Sequence, residues 1–301
     1  MQIHTLDLDF QNAPETIAAY LVIGPGGPVL VETGPASTLE TLLEGLAEHG
    51  YAPADIRHVL VTHIHLDHAG AAGWWAQRGA TIYVHAVGAR HLVDPSRLLT
   101  SAGRIYGDMM DVLWGETLPA PAERVQALRD GDTVAVNGLT FTALDTPGHA
   151  WHHHVYRLGD VAFTGDAAGV RLPGSEFLSI PAPPPEFDRE AWRKTLRRLM
   201  DADLTALYPT HYGPVEDPCE HLERLADLME QSVEFFGEKL KTDIDRAALV
   251  SAYVEWNRQR AVDWGATEQD WQRHELANPL FMSVDGLTRY WRKRIAAFSH
   301  Q

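Results

Sequence analysis

Apolar and polar positions along the chain switch repeatedly between strand-like and helix-like periods. In the first part, TIAAYLVI and PVLVETG are apolar, β-rich runs flanking the turn sequence GPGG, which reads as a hairpin. The stretch STLETLLEGLAEH shifts to helical spacing; Ser37 and Glu40 form a capping-box pattern at its start and Gly50 lies where it should stop. RHVLVT then reads as a short strand, AGAAGWWAQRG as a second helix and TIYVH as another strand.

Residues 88–119 mix charged, aromatic and methionine residues without a clean period, so irregular helices and loops are expected there. From about residue 124 the pattern returns to strands. RVQALRDG, DTVAV, LTFTALDT, HHVYRLG and VAFTGD, separated by Asn-Gly, Pro-Gly and Gly-Asp turns, predict a second sheet. The proline-rich IPAPPPEFD leads into a helix that Asp188 can cap, and LTALYPTHYGP supplies one more strand ending in a histidine.

Beyond His211 the period is helical. Asp217 is placed to cap a long helix with Pro218 at its first position, and Leu222, Leu225, Met229, Val233, Phe236 and Leu240 form one apolar stripe that reads as a packing face. Further helices are expected over 245–262, 267–277 and 280–299, the last two divided by Asn278-Pro279. The expectation is two domains, 1–215 and a helical 216–301.

The 301 residues, 45% of them hydrophobic, suffice for a sizeable core. A net charge of -16 argues against a surface that follows a phosphate backbone, so a small-molecule partner is expected and nucleic acid is not. There is no run of about twenty apolar residues, and MQIHTLDLDF lacks the basic start and apolar run of a signal peptide. A cytoplasmic protein without membrane association is expected. The single cysteine, Cys219, excludes an intrachain disulfide and a thiolate zinc cage, so a metal site has to use His, Asp and Glu.

Sixteen histidines change the picture, because many cluster near turn signals. THIHLDHAG places His63 and His65 two apart and Asp67 and His68 side by side, in a loop leaving a strand. Such spacing can aim two donors at one point and two at its neighbour, and zinc accepts imidazole and carboxylate without thiolate. Three more donors stand at strand ends: His149 after LDTPG, Asp166 closing VAFTGD and His211 closing LYPTH. One histidine alone is more often a surface or hydrogen-bonded core residue; seven donors beside turns argue together. The run at 152–154 sits one strand past His149, and its alternating side chains are expected to back the site or to face solvent.

This set resembles the metallo-β-lactamase superfamily, whose signature is a His-x-His-x-Asp-His loop followed by His, Asp and His at later strand ends. The resemblance implies an α+β fold, a four-layer αββα sandwich with a metal pair at one edge. It assigns His63, His65 and His149 to one ion and Asp67, His68 and His211 to the other, with Asp166 bridging. Where the family often has Asp in the early turn, this chain has Glu32, expected to support a ligand at most. The helical tail resembles that of glyoxalase II, but AAGVRLPGS after Asp166 lacks the glycine- and cysteine-containing stretch usual there, which argues against glutathione thioesters.

The implied activity is hydrolysis of a small ester, lactone or thioester by a hydroxide held between two divalent ions, with Asp67 orienting water or moving a proton. Zinc is the first expectation, with iron and manganese also suited to His/carboxylate donors. Arg104, Tyr106, Arg171 and Tyr212 are candidate substrate contacts, each weighed against a packing or salt-bridge role. The alternatives are a phosphodiesterase, an iron-dependent oxidoreductase and a metal-binding module without catalysis. Apolar faces in the tail permit a homodimer.

Overall fold

The computed structural model describes residues 1–298, which divide into two compact units: Met1–Asp145 with His152–Gly165, and Thr146–Trp151 with Asp166 onward. The chain is α+β, with β-sheets and a helical C-terminal region.

The first unit holds two sheets. In one, β1 (Gln2–Asp7), β2 (Ala18–Gly24) and β3 (Gly27–Val31) pair antiparallel, and β4 (His58–Leu60), β5 (Thr81–His85) and β6 (Val125–Leu128) continue the sheet in parallel, in the order β1 to β6. Helix α1 (Leu39–Glu48) joins β3 to β4. Helices α2 (Leu66–Ala69) and α3 (Ala72–Gln77) join β4 to β5, and α4 (Ala89–Val93), α5 (Ser96–Tyr106) and α6 (Met110–Trp114) join β5 to β6. Residues 18–22 and 28–31 are buried without a break, as expected of strands covered on both faces.

In the other sheet β7 (Thr133–Val136), β8 (Leu139–Asp145), β9 (His154–Leu158) and β10 (Val161–Gly165) pair antiparallel in sequence order. Asn137 and Gly138 turn β7 into β8 with φ of 52° and 74°, the backbone that a tight Asn-Gly hairpin needs. The sheets meet through the buried Tyr156, whose hydroxyl donates to the Val61 and Tyr83 carbonyls at 3.1 Å each, and through Tyr20 and Phe163, with ring centroids 5.5 Å apart.

Two expectations for this unit need correction, and one strand is additional. RVQALRDG was expected in the second sheet, but β6 pairs in parallel with β5 and closes the first. The capping box does not form: Ser37 Oγ donates instead to the Leu113 carbonyl at 2.6 Å, and α1 starts at Leu39. Strand β1, which the turn-and-hairpin pattern did not reveal, pairs along all six residues with β2.

The second unit contains α7 (Arg189–Met200), β11 (Ala206–Pro209), α8 (Pro218–Lys239), α9 (Arg246–Asp263), α10 (Glu268–Ala277) and α11 (Leu280–Phe298). Asp188 caps α7 by accepting from the Ala191 N–H at 2.8 Å. Trp192 and Thr195 on that helix donate to the Ala167 and Pro147 carbonyls at 2.9 and 2.7 Å, drawing both connecting segments of the unit against α7. The stripe on α8 is a packing face: Leu222, Leu225, Met229, Val233 and Phe236 are buried, with Phe236 5.0 Å from Tyr253 of α9. Pro218 opens α8 as expected, but Asp217 makes no cap and pairs with Arg171. The boundary at 215/216 falls inside this unit, and residue 299, the end of the last expected helix, lies outside the described residues. Among the described residues no helix is long and apolar enough to cross a membrane.

Candidate metal centre

In the first unit the chain leaves β4 in extended form and turns into α2 at Leu66, with His65 at the N-cap position. His63 and His65 therefore sit on the loop, while Asp67 and His68 sit on the first helical turn. His63 and His68 are fully buried, and their ring centroids lie 4.0 Å apart. His63 Nε2 is 2.9 Å from His65 Nδ1, and His68 Nε2 is 3.5 Å from Asp67 Oδ2.

Glu32, immediately after β3 and 1% exposed, supports this arrangement from behind. Its carboxylate accepts from Thr62 Oγ1 at 2.5 Å and from the Thr62 N–H at 3.3 Å, and it lies 3.2 Å from His68 Nδ1. Because the hydroxyl proton of Thr62 is used on Glu32, Thr62 Oγ1 accepts from His63 Nδ1–H at 3.1 Å. Both imidazoles then carry their proton on Nδ1 and present Nε2 as a lone pair. At 2.9 Å the His63 Nε2 lone pair accepts from His65 Nδ1–H.

His152 and His153 complete the cage. The His152 ring lies nearly parallel to His63 at 6.0 Å and edge-on to His65 at 5.4 Å, while His153 is 4.9 Å from His63. The His154 N–H donates to the Thr62 carbonyl at 2.7 Å and holds the run in place. All three histidines are buried, so none faces solvent; His152 and His153 pack against the loop, while the His154 ring pairs with Asp145.

In the second unit Gly148 makes the turn before His149. Its φ is +140°, and a Cβ there would lie 2.3 Å from Trp192 Cβ, so only glycine fits. His149 Nδ1–H donates to the Pro181 carbonyl at 2.8 Å, leaving Nε2 as the lone pair, 3.2 Å from Asp166 Oδ2. His211 Nε2 is 3.6 Å from Asp166 Oδ1. One carboxylate oxygen thus faces each imidazole, the arrangement a bridging carboxylate requires. The donors are imidazoles and carboxylates, of which His63, His68, His149, Asp166 and His211 are buried and His65 and Asp67 half-buried, a set that suits divalent ions.

The other sequence candidates divide. Tyr106 is half-buried, edge-on to Trp114 at 5.0 Å; burial and then the Asp67 carboxylate push its hydroxyl well above the usual phenol range, so it stays protonated. Arg104 is exposed on α5. The Arg171 guanidinium is committed to Glu176 at 2.7 Å and Asp217 at 3.3 Å. Tyr212, half-buried beside His211, donates its N–H to the Arg171 carbonyl at 3.3 Å.

Sequence reasoning did not connect His85, Asp145 and His154, three donors of the first unit close enough to share an ion. The Val87 N–H donates to His85 Nδ1 at 3.0 Å, which puts the His85 proton on Nε2, 3.4 Å from Asp145 Oδ1. His154 Nε2 lies 2.7 Å from the same oxygen. The group is a hydrogen-bonded tie between β5 and the β8–β9 pair. Burial keeps both rings below the usual imidazole range, His154 at about 4. No sequence signal links these residues, because β5 and β8 belong to different sheets.

The family model described as the metallo-beta-lactamase superfamily matches residues 13–211. A metallo-beta-lactamase fold-containing protein of Sulfurisphaera tokodaii is 24% identical over 229 residues, covering 74% of this chain and 84% of that protein. An atrochrysone carboxyl ACP thioesterase of Aspergillus fumigatus is 26% identical over 204 residues, and the match covers 65% of this chain but only 38% of the thioesterase. Among solved structures, a metallo-beta-lactamase family protein from Thermus thermophilus superposes with a TM-score of 0.68 at 23% identity, covering 97% of this chain and 93% of that one.

Proposed function

The chain belongs to the metallo-β-lactamase superfamily, and on that premise we propose that it is a hydrolase that uses two divalent ions, zinc first among them, to cleave a small ester, lactone or thioester. The observation that carries the reading is the pair of tautomer locks. The Pro181 carbonyl, the Glu32 carboxylate and the Thr62 hydroxyl oxygen that it orients accept from the rear N–H groups of His149, His68 and His63 and leave the forward nitrogens as metal-binding lone pairs. Buried imidazoles fixed in this way fit ligands better than they fit an idle core.

In the proposal His63, His65 and His149 hold one ion and Asp67, His68 and His211 the other, with Asp166 shared. Bound there, the ions would supply a water of lowered pKa and a Lewis acid for the scissile carbonyl. The chain's own residues do the rest. The half-buried Asp67 carboxylate holds or passes a proton beside His68, and the Tyr106 hydroxyl, kept protonated by burial and by the Asp67 charge, offers a hydrogen bond to the polarised oxygen. The thioesterase relative favours a thioester within this substrate class. The acidic balance of the chain supports a small molecule over nucleic acid.

The test is elemental analysis of protein purified without added metal, followed by turnover on panels of aryl esters, lactones, acyl thioesters and phosphodiesters. Two equivalents of metal with chelator-sensitive carboxyl-ester or thioester cleavage are expected. Turnover confined to phosphodiesters, or full activity with no metal bound, contradicts the reading.

A further inference from the structure

The Pro181 carbonyl that fixes His149 is itself held by the C-terminal helices. Between α10 and α11, Asn278 is buried and its Nδ2 donates to Ser179 Oγ at 2.9 Å and to the Ile180 carbonyl at 3.2 Å. On the first turn of α11 the fully buried Ser283 donates from Oγ to the same Ile180 carbonyl at 2.9 Å and accepts from the Ala182 N–H at 3.1 Å. At Gly286, three residues on, a Cβ would fall 1.9 Å from the Ala182 carbonyl oxygen, so the helix backbone lies directly against the segment.

Residues 179–182 are thus gripped on both sides of Pro181. Proline has no N–H, so Pro181 takes part only through its carbonyl, and that carbonyl accepts from His149 Nδ1–H at 2.8 Å. Because a carbonyl oxygen only accepts, the bond settles which nitrogen of His149 is protonated and which way Nε2 points. A hydrogen bond weakens steeply with distance and angle, so its value as a lock depends on how firmly the acceptor is held.

We propose that Asn278, Ser283 and Gly286 are positioning residues for the metal centre: the C-terminal helices clamp the Pro181 carbonyl and through it set the tautomer and aim of His149. The proposal rests on the reading of His149 as a metal ligand. It gives the tail a role in metal affinity without contact to ion or substrate.

The test uses the full chain with Ser283→Ala, Asn278→Ala and, as the variant that keeps a hydroxyl, Ser283→Thr, each checked for folding by a cooperative urea transition. Zinc and cobalt affinities are measured by chelator competition, and the His149 ring nitrogens of the metal-free protein by ¹⁵N NMR. Ser283→Ala and Asn278→Ala are expected to weaken one of two metal equivalents by about tenfold, the lower end of what partners of ligands contribute. They are also expected to shift His149 toward a mixture of tautomers, and Ser283→Thr to restore both properties. In a His149→Ala background Ser283→Ala should have no further effect on metal. Folded alanine variants with unchanged affinity and an unchanged His149 tautomer overturn the clamp, as does a loss that persists undiminished without His149. If the wild type takes up no metal, the proposed function falls, and the tautomer measurement still decides whether the clamp acts on His149.

Discussion

Glu32 and His68 face each other across 3.2 Å, with 1% and 0% of their side chains exposed. One stands just past a strand and the other on the first turn of a helix, and through Thr62 the same carboxylate also reaches His63. Glu32→Gln keeps the volume and leaves Oε1 to accept from Thr62 Oγ1 and His68 Nδ1, but it removes the negative charge and the second acceptor oxygen, which takes the Thr62 N–H. Metal affinity is expected to fall about 10- to 100-fold in chelator competition while the fold is retained. Unchanged affinity would show that Glu32 does not set the tautomers.

Tyr106→Phe removes a hydroxyl that the Asp67 charge helps keep protonated and leaves the metal donors intact. The variant is expected to bind the full metal complement and to lose roughly 100-fold in kcat, the lower end of the range for a single hydrogen-bonding group. Equal kcat on the preferred substrate would assign Tyr106 to packing against Trp114 alone.

Gly148→Ala tests the turn that presents His149. The added Cβ meets Trp192 at 2.3 Å in a backbone of φ +140°, so a loss of about 2–4 kcal/mol is expected from urea unfolding. A loss below about 0.5 kcal/mol would mean that the turn adjusts freely.

Burial holds both His154 and His221 at about 4, with the His221 Nε2–H donating to the Ala168 carbonyl at 2.7 Å. In the unfolded chain both titrate near their ordinary value, about 6.5. The folded values are lower, so between about pH 6.5 and 4 the unfolded state binds more protons. Stability present above about pH 6.5 is therefore lost as pH falls through that window, by about 3 kcal/mol per group at full extent. Urea midpoints of the metal-free protein should fall steadily from about pH 7.5 to 4.5, and His221→Gln should flatten the slope. A flat profile would contradict neutral burial of these rings.

Much of the fold and of each donor set was readable in the sequence because the signals are local. The GPGG hairpin, the Asp188 cap, the α8 stripe and the His-x-His-x-Asp-His loop each declare themselves within a few residues. What escaped depends on partners far along the chain. β6 has the same composition whichever sheet it joins, and its place is settled by parallel pairing with β5, far earlier in the chain. Ser37 carries a capping signal, but the Leu113 carbonyl, 76 positions away, outcompetes the helix end for its hydroxyl. Glu32 could be read only as a departure from Asp, because its double use by Thr62 and His68 needs β3, β4 and α2 in place. Pro181 offers only a backbone carbonyl, which has no sequence signature at all.

Diffraction from metal-loaded protein, with anomalous data collected on both sides of the metal absorption edge, tests the proposed centre most directly. Two peaks are expected, one ligated by His63, His65 and His149, the other by Asp67, His68 and His211, with Asp166 contacting both. No peak at these residues, or a single peak at His85, Asp145 and His154, would contradict it.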